Sequence, residues 1–137
     1  MKIMACYDGS DESKEVLREA IKHAKAFNAE VMLVTSVVSD DRSDPKKIEE
    51  VEDKLKEAQV GFDENKIICK PHISYRDADM SVGEDLVLLA SREQVDEIII
   101  SIRSRSKVGK FILGSVAQWI ILKAECTVIG VKSNIKQ

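Results

Sequence analysis

Ser101-Ile102-Arg103-Ser104-Arg105-Ser106-Lys107-Val108-Gly109-Lys110-Phe111-Ile112-Leu113-Gly114-Ser115 is the stretch on which the reading of this chain turns. It follows Glu97-Ile98-Ile99-Ile100, a β-branched run expected to form a strand buried on both faces. It leads into Val116-Ala117-Gln118-Trp119-Ile120-Ile121-Leu122-Lys123, which reads as a helix. A strand, a basic Ser/Gly loop and a helix N-terminus in that order make a seat for an anion. Free backbone N–H groups and the helix dipole both point toward it. No acidic residue occurs between Glu97 and Glu125, whereas Arg103, Arg105, Lys107, Lys110 and Lys123 are all cationic.

Working outward, Ile3 to Tyr7 reads as a first buried strand ending in the turn Asp8-Gly9-Ser10-Asp11. The helix after it places Val16, Leu17, Ala20, Ile21, Ala24 and Phe27 on one face, and Asn28 is suited to close it. Val31 to Val38 is a second strand and Ser39 to Asp44 a polar loop. Asp44-Pro45 opens a helix with Ile48, Val51, Leu55 and Ala58 as its buried stripe and Gly61 as its terminator. Lys66 to Ile73 reads as a third strand, placed at a sheet edge by Pro71, which cannot donate to a ladder. Ser81 and Glu84 form a capping box for a helix marked by Val82, Leu86, Leu89 and Ala90. Cys126 to Val131 is the fifth strand.

The β-α-β-α-β-α-β-α-β order implies an α/β fold, a doubly wound parallel sheet with helices on both faces. All of residues 1–137 read as a single domain, large enough to bury roughly two-thirds of its unfolded surface. Ligands of such folds bind beyond the carboxyl ends of the strands, where strand order reverses. The Asp8-Gly9-Ser10 turn and the basic loop should meet there.

Composition removes several functions. A net charge of −3 argues against a nucleic-acid partner, and 4% aromatic residues leaves few platforms for base stacking. No apolar run is long enough for a membrane span, and the N-terminus does not resemble a signal peptide. Three widely spaced cysteines, Cys6, Cys69 and Cys126, fit neither a disulfide framework nor a zinc site, so a cytoplasmic location is expected. Only Gly9 is available for a Rossmann fingerprint, and Gly114-Ser115 lacks the lysine of a Walker A loop. Neither His23 nor His72 is tied to a serine or cysteine by a recognisable signature, so no catalytic residue and no metal site is assigned.

The chain resembles the universal stress protein family over almost its whole length. Tyr7-Asp8-Gly9-Ser10 is similar to the family's first-strand ending. Leu113-Gly114-Ser115-Val116-Ala117, with Ala124-Glu125-Cys126-Thr127-Val128 after it, is similar to its C-terminal signature. The pattern of ATP-binding members, Gly-x2-Gly-x9-Gly-Ser/Thr, falls here on Ser101, Ser104 and Gly114-Ser115, with the spacing kept and both leading glycines replaced by serine. If Ser101 and Ser104 must be left-handed, each costs about 1–2 kcal/mol, and together they would weaken binding about 10- to 1000-fold.

The resemblance implies strand order 3-2-1-4-5, an adenine-nucleotide alpha-hydrolase-like arrangement, and a stress-responsive regulator that binds an adenine nucleotide such as ATP or AMP without turning it over. Mg²⁺ would enter only with the nucleotide. Asp8 would hold the ribose or adenine end, Thr35 and Ser36 would line the adenine, and Ser101, Arg103, Ser104, Gly114, Ser115 and Val116 would surround the phosphates. A homodimer through the last strand, Thr127 to Val131, is implied as well. Two other functions fit the residues: a dimeric interaction module of the same family without nucleotide, and a phosphate-chemistry enzyme using the basic loop as an anion clamp. Asp8 also fits a plain turn residue, and Ser115 with Gln118 a plain capping box.

Overall fold

The computed structural model describes residues 1–102 and 113–132. Five strands, β1 (Lys2–Cys6), β2 (Glu30–Val38), β3 (Cys69–Arg76), β4 (Glu97–Ile102) and β5 (Thr127–Lys132), alternate with four helices, α1 (Asp11–Phe27), α2 (Pro45–Glu64), α3 (Val82–Arg92) and α4 (Ser115–Lys123). The sheet order is β3-β2-β1-β4-β5, with every pairing parallel. The doubly wound 3-2-1-4-5 sheet read from the sequence is therefore the observed one.

Period-two alternation divides the strands between two cores. Ile3, Ala5, Val31, Leu33 and Ile99 face α1 and α2, packing with Val16, Ala20, Leu55 and Phe62. Met4, Met32, Val34, Ile98 and Ile100 face α3 and α4, packing with Leu86, Leu89, Ala117 and Ile120. Chain reversals use the expected chemistry. Asn28 closes α1 in the left-handed conformation at φ 52°. Asp44 caps α2 with Pro45 in its first turn, and Ser81 with Glu84 forms the full capping box of α3.

Other expectations give way to packing. Gly61 does not end α2, which continues to Glu64 because Phe62 plugs the sheet at 0% exposure. Phe27, assigned to the buried face of α1, is 57% exposed, as the last residue of the helix. Ser39–Ser43 winds into a short 3-10 helix instead of a loop. β3 starts at Cys69 and runs to Arg76, and is an edge strand as Pro71 requires. β4 extends through Ser101 and Ile102, beyond the four residues read as strand. Gly114, not Ser115, is the residue capping α4, without a side-chain cap bond, so the Ser115–Gln118 box does not form; the Gln118 amide donates to the Leu113 carbonyl instead.

Gly83 explains how α3 and α4 come together. A Cβ there would stand 2.8 Å from Trp119 Cβ, so only a glycine lets the helices approach this closely. The two phenylalanines supply the check on the packing. Phe62→Ala should cost about 3–5 kcal/mol of unfolding free energy and Phe27→Ala less than about 1 kcal/mol, read from denaturant midpoints.

Candidate functional site

β1 pairs with β2 on one side and β4 on the other, and the connections leaving these strands diverge. A cavity of about 290 Å³ opens there, lined by the strand ends and the first turns of three helices. Cys6, Tyr7 and Asp8 come from β1 and its turn, Val34 and Ser36 from β2, and Ile100 and Ser101 from β4. Ser13 comes from α1, Val82 and Leu86 from α3, and Gly114, Ser115, Val116 and Ala117 from the start of α4. Apolar residues and convergent polar groups therefore share one concave site, the pattern of a small-molecule pocket.

The turn after β1 is built from its own side chains. Asp8 Oδ1 accepts from the Ser10 N–H at 2.9 Å, and Ser10 Oγ caps α1 by accepting from the Ser13 N–H at 3.2 Å. Gly9 sits at φ +84°, a conformation a side chain would strain, with Lys54 packed over it. Asp8 is thus both the turn residue and a wall of the cavity.

On β2 the two predicted neighbours part company. Thr35 faces α1 and α2, and its hydroxyl donates to the Tyr7 carbonyl at 2.6 Å, tying β2 to the end of β1. Ser36 lies on the opposite face and lines the cavity. Its hydroxyl donates to Asp85 Oδ2 at 2.6 Å and accepts from Arg76 Nη1 at 3.0 Å, while the Ser74 hydroxyl donates to Asp85 Oδ1 at 3.0 Å. Asp85 is 3% exposed. Sequence reasoning passed over Asp85, Ser74 and Arg76, although a signal was present: Asp85 falls on the same α3 stripe as Val82, Leu86 and Leu89.

At the opposite end, α4 begins beside the cavity with no side-chain cap bond among the described residues. Ser101 has its hydroxyl buried without a hydrogen-bond partner among the described residues. Ser101 is extended β4 backbone, paired with Val131, and is absent from the residues of positive φ. The strain expected at this serine does not exist: the strand continues through it, so no left-handed turn falls there. Arg103 and Ser104 lie outside the described residues.

Cys6 also lines the cavity, but burial, and secondarily Cys126, pushes its thiol up to about 12. A thiol held protonated at neutral pH is an apolar wall, not a nucleophile. His23 is away from the site, with Nδ1 at 3.1 Å from Glu97 Oε1 at the start of β4. His72 lies on the edge strand β3. Among the described residues no group of three or more His, Cys, Asp or Glu is placed to hold a metal ion. A larger cavity of about 730 Å³ lies between α3 and α4, around Leu88 and Trp119. It is not at the strand ends, and none of the predicted site residues lines it.

Comparison with known proteins bears out the fold. The model of the universal stress protein family matches residues 1–132. The chain belongs to that family. A universal stress protein of Methanocaldococcus jannaschii is 31% identical over 143 residues, covering 99% of this chain and 84% of the relative. The solved universal stress protein of Archaeoglobus fulgidus superposes with a TM-score of 0.83 at 32% identity, over 96% of this chain and 98% of that one. The structure of the Archaeoglobus fulgidus protein in complex with dAMP aligns with a TM-score of 0.80 at 28% identity, over the same shares. No helix among the described residues is long and apolar enough to cross a membrane.

The Ser101 hydroxyl, without a partner among the described residues, provides a check independent of any ligand. A buried hydroxyl without a partner has already lost its water, so removing it costs the fold nothing. Ser101→Ala should leave unfolding free energy within about 0.5 kcal/mol of the parent or raise it by up to about 1 kcal/mol, measured by chemical denaturation.

Proposed function

We propose that this universal stress protein is a regulator that binds an adenine nucleotide in the cavity at the ends of β1, β2 and β4 and does not turn it over. One observation carries the reading: Asp8, Ser36, Ser101, Gly114, Ser115 and Val116, drawn from four separate stretches, line the same 290 Å³ cavity. That volume is near the lower limit of about 300 Å³ usual for small-molecule sites and suits a nucleoside with one phosphate better than a larger ligand. The dAMP held by the Archaeoglobus fulgidus relative supports the same ligand class.

The roles follow from local chemistry. The N–H groups at the start of α4 and the Ser101 hydroxyl, which have no side-chain partner among the described residues, make the anion end of the site. Arg103 and Ser104 join that end by family resemblance. Asp8, a carboxylate at the mouth, accepts from ribose hydroxyls. Val34, Val82 and Leu86 offer an apolar slot for a flat base. ATP would extend its outer phosphates toward Arg103 and bring its own Mg²⁺. Occupancy of the cavity would be read out by partner proteins as a change in the surface around α4, in a cytoplasmic setting.

The second reading, an interaction module that needs no nucleotide, is favoured by β5. Among the described residues it pairs with β4 on one side only, leaving an edge of Val128, Ile129 and Val131 that is a hazard unless covered. A two-fold pairing of β5 with its copy would cover that edge in either reading.

Calorimetric titration with AMP and ATP, in protein freed of endogenous ligand, tests the first reading. The parent should bind at least one of them, and Asp8→Ala should weaken binding by about tenfold or more while still folding cooperatively, with a melting temperature lowered by a few degrees because the turn bond to the Ser10 N–H is lost as well. A folded Asp8→Ala variant of unchanged affinity removes Asp8 from the site. For the edge, light scattering at micromolar concentration should give twice the chain mass, and a monomer would contradict pairing through β5.

A further inference from the structure

Asp85, Ser36 and Arg76 form a chain of hydrogen bonds whose direction is fixed at both ends. Arg76 is a guanidinium and can only donate, so its 3.0 Å contact with Ser36 Oγ consumes a lone pair of the hydroxyl. The hydroxyl proton goes the other way, to the Asp85 carboxylate at 2.6 Å. That carboxylate, almost completely buried, is also held by Ser74 at 3.0 Å and by its place in the first turn of α3. Ser36 and Ser74 are opposite one another in the β2–β3 register, so both hydroxyls reach the same carboxyl group. Of these four residues only Ser36 lines the cavity.

The consequence is chemical. A serine in a pocket ordinarily turns its hydroxyl to suit the ligand, donating to one and accepting from another. Here the proton is committed to Asp85 and one lone pair to Arg76. What Ser36 Oγ has left for the cavity is a single lone pair, so toward a ligand it is an acceptor only. We infer that the Asp85–Ser36–Arg76 chain is a base-selectivity device: it holds Ser36 as a fixed acceptor that takes an exocyclic amine of the base and rejects a carbonyl in the same place. Ser36 touches the ligand, and Asp85 and Arg76 position it.

The base end of the cavity is on this side. Val34 precedes Ser36 on the same strand face, and Val82 and Leu86 belong to the helix that carries Asp85. The uncapped α4 terminus and Ser101, which suit an anion, come from β4 and α4 instead. A buried carboxylate is costly to keep, and here it has two hydroxyl donors and no directly bonded cation among the described residues. Fixing the polarity of a hydroxyl beside the apolar slot gives that cost a function.

This inference rests on the nucleotide reading of the cavity, and AMP against IMP tests the two separately. The bases differ where adenine has an amine and hypoxanthine a carbonyl. Titration of the full chain should show AMP bound at least about tenfold more tightly than IMP, the scale of one hydrogen bond exchanged for a clash of two acceptors. Ser36→Ala, which removes the acceptor, and Asp85→Asn, which frees the hydroxyl to reverse, should each narrow the AMP-to-IMP ratio by about threefold or more. A merely structural role for Asp85 would weaken both nucleotides in step and leave the ratio unchanged, and that result overturns the proposal. So does a parent protein that binds both within about twofold, though nucleotide binding itself would stand. Failure to bind either overturns the inference together with the reading beneath it. Should Asp85→Asn not fold, the Ser36→Ala ratio alone decides, since that change removes a hydroxyl at the rim of the sheet.

Discussion

β1 is hydrogen-bonded on both edges in parallel, to β2 from Lys2 to Cys6 and to β4 from Ile3 to Ala5. A parallel pair cannot be closed by a tight turn, so each neighbour must be reached by a crossover helix. Crossovers of one hand then put α1 and α2 on one face of the sheet and α3 and α4 on the other. At the carboxyl end of β1 the two sets separate. Nothing in the backbone can fill that gap, and the cavity follows from the strand order before any side chain is chosen.

Side chains then give the gap its chemistry. The Asp8 turn closes on itself through the Ser10 N–H, which helps hold the carboxylate at the mouth. Thr35 binds the Tyr7 carbonyl and so fixes the end of β2 against the end of β1. Beyond it, Ser36 is held by a buried carboxylate and a guanidinium. One end of the cavity therefore carries a fixed hydroxyl beside an apolar slot, and the other consists of helix N–H groups and a hydroxyl that have no side-chain partner among the described residues. These two ends suit different halves of one ligand.

The sheet was legible because its signals are local and repeat. Runs such as Ile98-Ile99-Ile100 and Val31-Met32-Leu33-Val34 are apolar on consecutive residues, as strands covered on both faces must be. The caps at Asp44 and Ser81 were legible because each needs only residue types at a short offset, Pro45 directly after Asp44 and Glu84 three residues after Ser81. Gly61 misled because tertiary burial of Phe62 outweighs the modest helix penalty of one glycine. Ser101 misled in another way. Counting spacing against a glycine pattern implied a turn, but pairing with Val131 extends the strand through it. Asp85, Ser74 and Arg76 escaped notice because their meeting joins residues 36, 74, 76 and 85, and periodicity along one element carries no information about that.

The central claim is that ligand chemistry belongs to the crevice where strand order reverses and not to the larger apolar groove between α3 and α4. Backbone amide chemical shifts recorded while AMP is titrated into the labelled protein test it most directly. The account predicts that the largest changes fall on Tyr7, Asp8, Ser36, Ser101 and the amides from Ser115 to Ala117, the groups that line the crevice. Shifts concentrated instead on Val87, Leu88, Ser91 and Trp119, which line the larger groove, would contradict it.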